Sequence, residues 1–595
     1  MPQEIVNRIR IAVIAIAIIA GAALRVARLD AVPPGLHPDE AVEGYDAYSI
    51  LKTGRDHRGH FLPLAMESFS DYRMPLFQYS LVPLVAAFGL KTSIIRLGAA
   101  LWGLLDLIAV TGIALLTLGT PGAAAASLLY AFSPWHLAFS RQAIETSAAS
   151  ATVSLAILGF FLWLKYRDAR WLIASAVFFG LSTYTYSITK AFTPLMIVLL
   201  AVLYRREIRA AGKQALAAAA VVVIFAGPQI VMLTRSTSDV AGRFAQLSIW
   251  SYKCPHCARP TAFQKLENIG VSFASYFTPS FLFIDGDRGD HWTLLHPPNF
   301  GQLLPEQAAL IAMGLVPLLV RPRRIIPVAK PGKAKKKAAA NSPAQNLEPR
   351  GRRDLAVFLI AWLIIAALPA AAIVPLGAYD PEPGNPVPTA YMQMDRSLTN
   401  APLTPGLLLS HPDSRHAVLQ MAPWTLLSAL GFVMLLELPW ASHTVRNIGA
   451  GVLLVGIIFH GVQFARSYFR DYPVIAAPYF QFGMEEIVRA VQADSDPDPD
   501  QPVVITQMIN QPYIYLLFYQ RYSPAQFQAL PRLQFAGVAG PVLRFDRYLF
   551  VSPEFAYPRL AHGTFVYAAG EKLPVPGGLQ ILYPDGRLAY TVIRK

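Results

Sequence analysis

The feature that most constrains this chain is a succession of apolar runs, each near the ~20 residues a helix needs to cross a hydrocarbon core. They fall at about 11–29, 94–117, 121–139, 149–165, 171–187, 189–204, 215–233, 306–320, 355–376, 418–438 and 447–465. In lipid a backbone must satisfy its own hydrogen bonds, so the runs predict helices. The expected fold is mainly α, a polytopic transmembrane helix bundle of about 11 spans. Composition agrees: only 15% of the 595 residues are charged, against about 25% in soluble proteins.

The basic residues set the expected orientation. Arg8 and Arg10 precede the first run, and Lys165, Arg167 and Arg170 follow the fourth. Arg205, Arg206, Arg209 and Lys213 follow the sixth, and the basic segment 321–354, rich in lysine at Lys333 and Lys335–Lys337, follows the eighth. Eleven crossings put every cluster on one face, which the positive-inside rule makes the cytoplasm, N-terminus included. The net charge of +14 is then a topological signal. No basic stripe is interleaved with aromatics, so nucleic acid is excluded as a partner. One further apolar stretch, 76–90, would invert everything after it if it crossed, and is read as an in-plane or re-entrant helix. No small-x-small cleavage site follows the first run, which is read as a retained anchor. The expected location is the plasma (inner) membrane.

The same count leaves outer segments at 30–93, 234–305 and a Pro-rich 377–417, with a soluble extracytoplasmic tail at 466–595 after the membrane region 1–465. Strand-like runs at Val503–Ile505, Tyr513–Tyr519, Tyr548–Val551, Thr564–Tyr567 and Leu588–Ile593 predict a small C-terminal α/β domain. Asp494–Asp500 reads as a loop, and 338–348 as disordered linker. Cys254 and Cys257, in Cys-Pro-His-Cys, fit a local disulfide, half of a metal site with His256, or a redox pair.

Polar chemistry gathers at the outer ends of the runs. Carboxylates at a membrane boundary are costly and tend to be functional or paired, which singles out Asp39 and Glu40 just past the first run. The loop ends in Asp71-Tyr72-Arg73-Met74-Pro75. Asp56, Glu67 and Asp71 read as solvated polar residues. His136, Arg141 and Glu145 stand at the end of the third run on the same face. Arg141 and Glu145 are also spaced for an ordinary helical ion pair. Tyr184, Tyr186 and Lys190 suit sugar or phosphate contacts, or interfacial anchoring. Asp287, with Arg288, Asp290 and His291, could line a cleft or hold a divalent cation. His411, Asp413, Arg415 and His416 complete no metal set and read as a polar loop. Asp106, inside the second run, is expected to pair within the bundle.

The Asp39-Glu40 pair, the Arg73 segment and Ser140-Arg141-x-x-x-Glu145, in this order, resemble the lipid-carrier-dependent glycosyltransferases with the GT-C fold. That group includes protein O-mannosyltransferases and the aminoarabinose transferases that modify lipid A. The likeness is strongest to bacterial members of family 39. It covers about 1–305, where Phe281–Asp287 is also similar to a segment of such proteins, and continues loosely to the tail. The resemblance implies a polyprenyl-phosphate sugar donor in the bilayer, a lipid, glycan or protein acceptor, and inverting single displacement by an acceptor hydroxyl on the outer face. It implies Asp39 as base or orienter and Glu40 as second acid. Glu145 stands where many members have Asp. Arg73 falls near the cation holding the carrier phosphate, where relatives often have Lys-Pro-Pro and this chain has Arg-Met-Pro. Arg73 and Arg141 would neutralise the leaving phosphate. No cofactor is implied beyond a possible divalent cation. A flippase for lipid-linked saccharides would instead carry ionisable groups near mid-span. A non-catalytic envelope scaffold would leave Asp39 and Glu145 more than ~15 Å apart, since catalytic groups must converge on one substrate position.

Overall fold

A computed structural model describes residues 3–69, 71–235, 261–287, 294–319, 351–372, 412–439, 441–492, 501–530, 534–535 and 542–595. Cys254–Cys257, Arg288, Asp290, His291, the segment 320–350, most of the third outer loop with His411, and Asp494–Asp500 lie outside the described residues.

The chain opens with α1 (Gln3–Val26), then α2 (Pro38–Thr53), a hairpin of β1 (Met66–Ser68) and β2 (Asp71–Arg73), and α3 (Leu76–Phe88). There follow α4 (Thr92–Ala131), α5 (Pro134–Phe139), α6 (Thr146–Tyr166), α7 (Ala169–Ser182), α8 (Thr189–Leu203), α9 (Arg205–Ala211) and α10 (Lys213–Arg235). Beyond them come α11 (Ala262–Ser275), α12 (Glu306–Leu319), α13 (Arg352–Ala371), α14 (Met421–Leu436) and α15 (His443–Arg470). Each of the eleven apolar runs is helical. Among the described residues seven helices, α1, α4, α6, α10, α13, α14 and α15, have the length and apolarity of a membrane span, while α7, α8 and α12 are shorter.

The second and third expected spans are one broken helix. α4 has 40 residues, about 60 Å at 1.5 Å per residue, twice a hydrocarbon core. It turns at Gly119 (φ 69°, ψ −168°), two residues ahead of Pro121. That positive φ suits glycine alone at little cost, and proline supplies no N–H to continue the ladder. The third expected span stops at Ala131 rather than 139, where Ser133 caps α5 and Pro134 starts it. α3 has 13 residues, about 20 Å, similar in length to α7, α8 and α12, and packs against α2 and α4.

Faces sort as a bilayer demands. α1, α10 and α15 leave Ile16, Ile19, Val223, Ile224, Val452 and Val455 exposed, whereas α6 and α14 are buried along most of their length. Backbones meet closely where α12 crosses α14. A Cβ on Gly431 would lie 1.8 Å from the Leu310 carbonyl oxygen, and one on Gly314 2.4 Å from that of Leu427. Small residues at such crossings are how membrane helices gain packing without a hydrophobic drive.

After α15 come α16 (Met484–Gln492), β3 (Val503–Ile505), α17 (Pro512–Tyr519), α18 (Pro524–Ala529), β4 (Gln534–Phe535), β5 (Val542–Phe545), β6 (Tyr548–Phe550), β7 (Thr564–Ala568), β8 (Leu579–Leu582) and β9 (Leu588–Arg594). The strands form one seven-stranded sheet in the order β4-β5-β6-β3-β7-β9-β8, with β3 parallel to β6 and β7 and the other pairs antiparallel. Four expected strands are present. The fifth, Tyr513–Tyr519, is instead the helix α17, with Pro512 in its first turn and buried from Pro512 through Phe518. A helix enclosed on all sides has no polar face, so its apolar run carries no period by which to tell it from a strand.

α17 is covered by α2. A Cβ on Gly44 would meet Phe518 and Ile95 at 2.8 Å. Tyr45 donates to the Tyr522 carbonyl at 2.9 Å, and the Gln528 amide donates to Ser49, Thr53 and the Asp56 carbonyl. The first outer loop and the tail therefore share one core.

Gly431→Ala forces a methyl against backbone and is expected to cost about 1–3 kcal/mol. Thermal unfolding of the purified protein checks this; an unchanged midpoint contradicts the close crossing.

Candidate active site

α2 organises the site. His37 caps it: its Nδ1 accepts from the Asp39 N–H at 3.2 Å while Glu40 accepts from the His37 N–H at 3.1 Å. Gly54 ends it with φ 69°. At 100° per residue, Asp39, Glu43 and Asp46 fall within about 60° of one another and Glu40 sits on their flank.

Glu40 and Arg96 form a wholly buried bidentate pair, with Nε at 2.8 Å and Nη2 at 2.7 Å from the carboxylate oxygens. Glu40 also accepts from the Ala143 N–H at 2.9 Å. Arg96 donates further to the carbonyls of Leu29, Pro33 and Gly35. Burial opposes ionisation of Glu40, but Arg96 and the two backbone donors outweigh it and hold the carboxyl below its usual range. All the bonding capacity of Glu40 is spent. The structure gives it a clamp's position, not that of the second reacting acid expected from sequence.

On the neighbouring stripe, Arg73 gathers three carboxylates. Its Nη2 donates to Asp39 Oδ1 at 2.5 Å. Its Nη1 lies 3.4 Å from Glu43 Oε1 and 3.5 Å from Glu145 Oε2. The β1–β2 hairpin presents it, and its Nε donates to Ser68 at 3.3 Å. Burial works against ionising Asp39, yet Arg73, His37 and Arg415 bring its carboxyl down to about 2. Glu43 is driven the other way, first by burial and then by the Glu145 carboxylate, so its carboxyl titrates well above the usual range. Glu43 lies in no motif of the sequence. Its spacing from Asp39, four residues on the same helix, was the available signal.

A cavity opens beside Asp39, lined among others by His37, Gln142, Leu294, Arg415 and Tyr479. Arg415 was read from sequence as part of a plain polar loop, yet it faces this cavity. Asp413 holds it through a 2.8 Å contact. Burial resists the charge on Asp413, but Arg415 and His416 keep it ionised. Asp287 steadies the same loop, accepting from the Ser414 N–H at 2.9 Å and hydroxyl at 2.6 Å. Tyr186 stacks on His416, 6.4 Å between centroids, beside the loop that carries Arg415.

Other expected residues lie elsewhere. Arg141 is buried and its two terminal nitrogens donate to the carbonyls of Leu24, Arg25, Ala27 and Val32 at 2.6–3.0 Å, with Phe469 beneath it at 4.6 Å. It binds the turn after α1, not a phosphate, and forms no helical pair with Glu145 because α5 and α6 are separate helices. His136 accepts from Arg25 at 2.5 Å, faces Asp106 at 3.3 Å and stacks on Tyr130; it belongs to a buried network inside the bundle. The Tyr184 hydroxyl is taken by the Phe225 carbonyl at 2.7 Å. Lys190 stands half-buried in the first turn of α8. No group of three or more His, Cys, Asp or Glu able to hold a metal ion occurs among the described residues.

A family model described as dolichyl-phosphate-mannose-protein mannosyltransferase matches residues 73–231. The crystal structure of ArnT from Cupriavidus metallidurans bound to undecaprenyl phosphate is similar over 98% of this chain and 97% of that one, with a TM-score of 0.52 and 12% identity. The apo form of the same protein gives 0.51, also at 12% identity over 98% and 97%. No curated protein matches by sequence. The fold is the GT-C fold. The family model thus names an enzyme that uses a lipid-linked sugar, and the neighbour that shares this fold binds undecaprenyl phosphate.

Glu40→Gln would strand the Arg96 charge in the interior and is expected to cost about 3–5 kcal/mol. Asp39→Asn leaves two carboxylates on Arg73 and is expected to cost about 1–2 kcal/mol. Thermal unfolding of both variants separates the clamp from the site; equal losses contradict the division.

Proposed function

We propose that this chain moves a sugar from a polyprenyl-phosphate donor to an acceptor hydroxyl at the outer face of the inner membrane, by one inverting displacement. The observation that carries this reading is that Asp39 and Glu145, from two separate outer loops, meet on the single guanidinium of Arg73. A non-catalytic scaffold has no need of such convergence. The carboxylates suit an acceptor hydroxyl that must be aimed and relieved of its proton. Arg73, paired with Asp39, and Arg415, which lines the same cavity, suit the charge that develops on the leaving phosphate. Both arginines are bound to carboxylates, which keeps them oriented and ionised until a phosphate competes for them.

The basic residues around α9, near the start of α1 and ahead of α13 favour a cytoplasmic N-terminus with the site outside. A lipid-linked donor accounts for a site level with the helix ends: the carrier's tail stays among the spans and its sugar reaches the cavity.

Membrane fractions carrying the chain are expected to transfer radiolabelled sugar from polyprenyl-phosphate donors to endogenous acceptors. Asp39→Asn is expected to lower that transfer by about 100-fold or more. Undiminished transfer by the variant contradicts Asp39's place in the site, and no transfer by the unaltered chain contradicts the transferase reading.

A further inference from the structure

The charges around Arg73 do not balance. Asp39, Glu43 and Glu145 all reach one guanidinium, while the next arginine along, Arg96, is committed to Glu40. Asp39 takes Nη2 in a short contact, and the two glutamates share Nη1 at 3.4 and 3.5 Å. Those two distances are long for ionised pairs, which close to about 2.7–2.9 Å. Two carboxylates at one buried position cannot both ionise, so one keeps a proton.

Burial decides which. The Glu43 side chain is 0% exposed and that of Glu145 12%. The other groups facing Glu43 do not relieve it. On α2 itself, Asp46 is occupied by the His57 ring at 2.7 Å, and Asp39 is paired. From α17, Tyr513 stands beside Arg73 and Asp46. The remaining neighbour is Glu145, whose carboxylate meets the same Arg73 Nη1, while Glu43 Oε2 is buried without a hydrogen-bond partner.

We propose that Glu43 is a positioning residue for transfer: it holds a proton, donates it in a hydrogen bond to Glu145, and so keeps Glu145 the aimed, ionised carboxylate that receives the acceptor's proton. This deepens the transferase reading and rests on it. In the step, the acceptor oxygen bonds to the anomeric carbon as that carbon's bond to the phosphate oxygen breaks. The bonding pair leaves with the phosphate, and the hydroxyl proton passes to Glu145. Asp39, locked on Arg73, is a weak base and serves to orient. Glutamine at 43 keeps a hydrogen-bond donor in place; alanine does not.

Three measurements on the full chain in nanodiscs test this. At neutral pH the infrared spectrum of the unaltered protein is expected to contain a protonated-carboxyl band that Glu43→Gln removes; no band lost overturns the shared proton. A group whose folded pKa is raised stabilises fully below its unfolded pKa and loses that contribution as pH climbs toward the folded value. Glu43→Gln should therefore gain thermal stability relative to the unaltered protein from pH 5 to pH 8; a gap that stays constant overturns the assignment. In transfer from a polyprenyl-phosphate sugar, Glu43→Gln should retain kcat within about threefold, and Glu43→Ala should lose about tenfold or more in kcat with little change in KM. Equal losses in the two variants overturn the positioning role. An unaltered protein with no transfer overturns the transferase reading and Glu145's part in it, while the infrared band judges the proton by itself.

Discussion

The site hangs on the buried pair of Glu40 and Arg96. Removing two charges from water costs several kcal/mol for each unless every lone pair and proton is used. Here the carboxylate takes both guanidinium contacts and the N–H groups of His37 and Ala143, while Arg96 also holds three carbonyls of the stretch 29–35. One ion pair thereby joins the turn after α1, the start of α2, the wall of α4 and the loop leading into α6. With Glu40 held to that wall, the helical repeat sends Asp39 and Glu43 toward Arg73. The bond to Ala143 brings Glu145, two residues later, to the same place. Arg141 does related work nearby, tying down the carbonyls of 24–32.

α2 also carries the tail. α17 and α18 pack on it, and Gln528 bonds three groups near its C-terminal end. The helix presenting Asp39 and Glu43 is thus gripped by α3 and α4 on one side and by α17 and α18 of the tail on the other. Groups held from two sides lose little freedom when substrate arrives, as a reaction requiring alignment needs. The tail reaches the cavity itself through Tyr479 and Phe480 at its root.

The apolar helices and the nearness of Asp39 to Glu145 are legible in the sequence because bilayer thickness is a strong constraint and both residues stand at the ends of apolar runs. The roles of individual polar residues were harder to read. Arg141 and Glu40 looked like chemistry because charge at a membrane boundary is costly; the cost is instead met by carbonyls and by Arg96, partners distant in sequence. Arg415 looked bland because the residue that steadies its loop, Asp287, lies 128 residues earlier. Glu43 was within reach, one turn from Asp39, but only the fold reveals that Glu145 faces it. α17 was misread because burial on every side erases its periodicity.

The central claim is that the carboxylates gathered by Arg73 handle the head of a lipid-linked sugar. The most direct measurement is an experimental structure of the chain in nanodiscs with a polyprenyl phosphate. The account predicts phosphate oxygens within hydrogen-bond reach of Arg415 or Arg73, in the cavity beside Asp39, with the lipid tail leaving among the spans. A phosphate bound elsewhere, with the cavity beside Asp39 closed to it, would contradict the account.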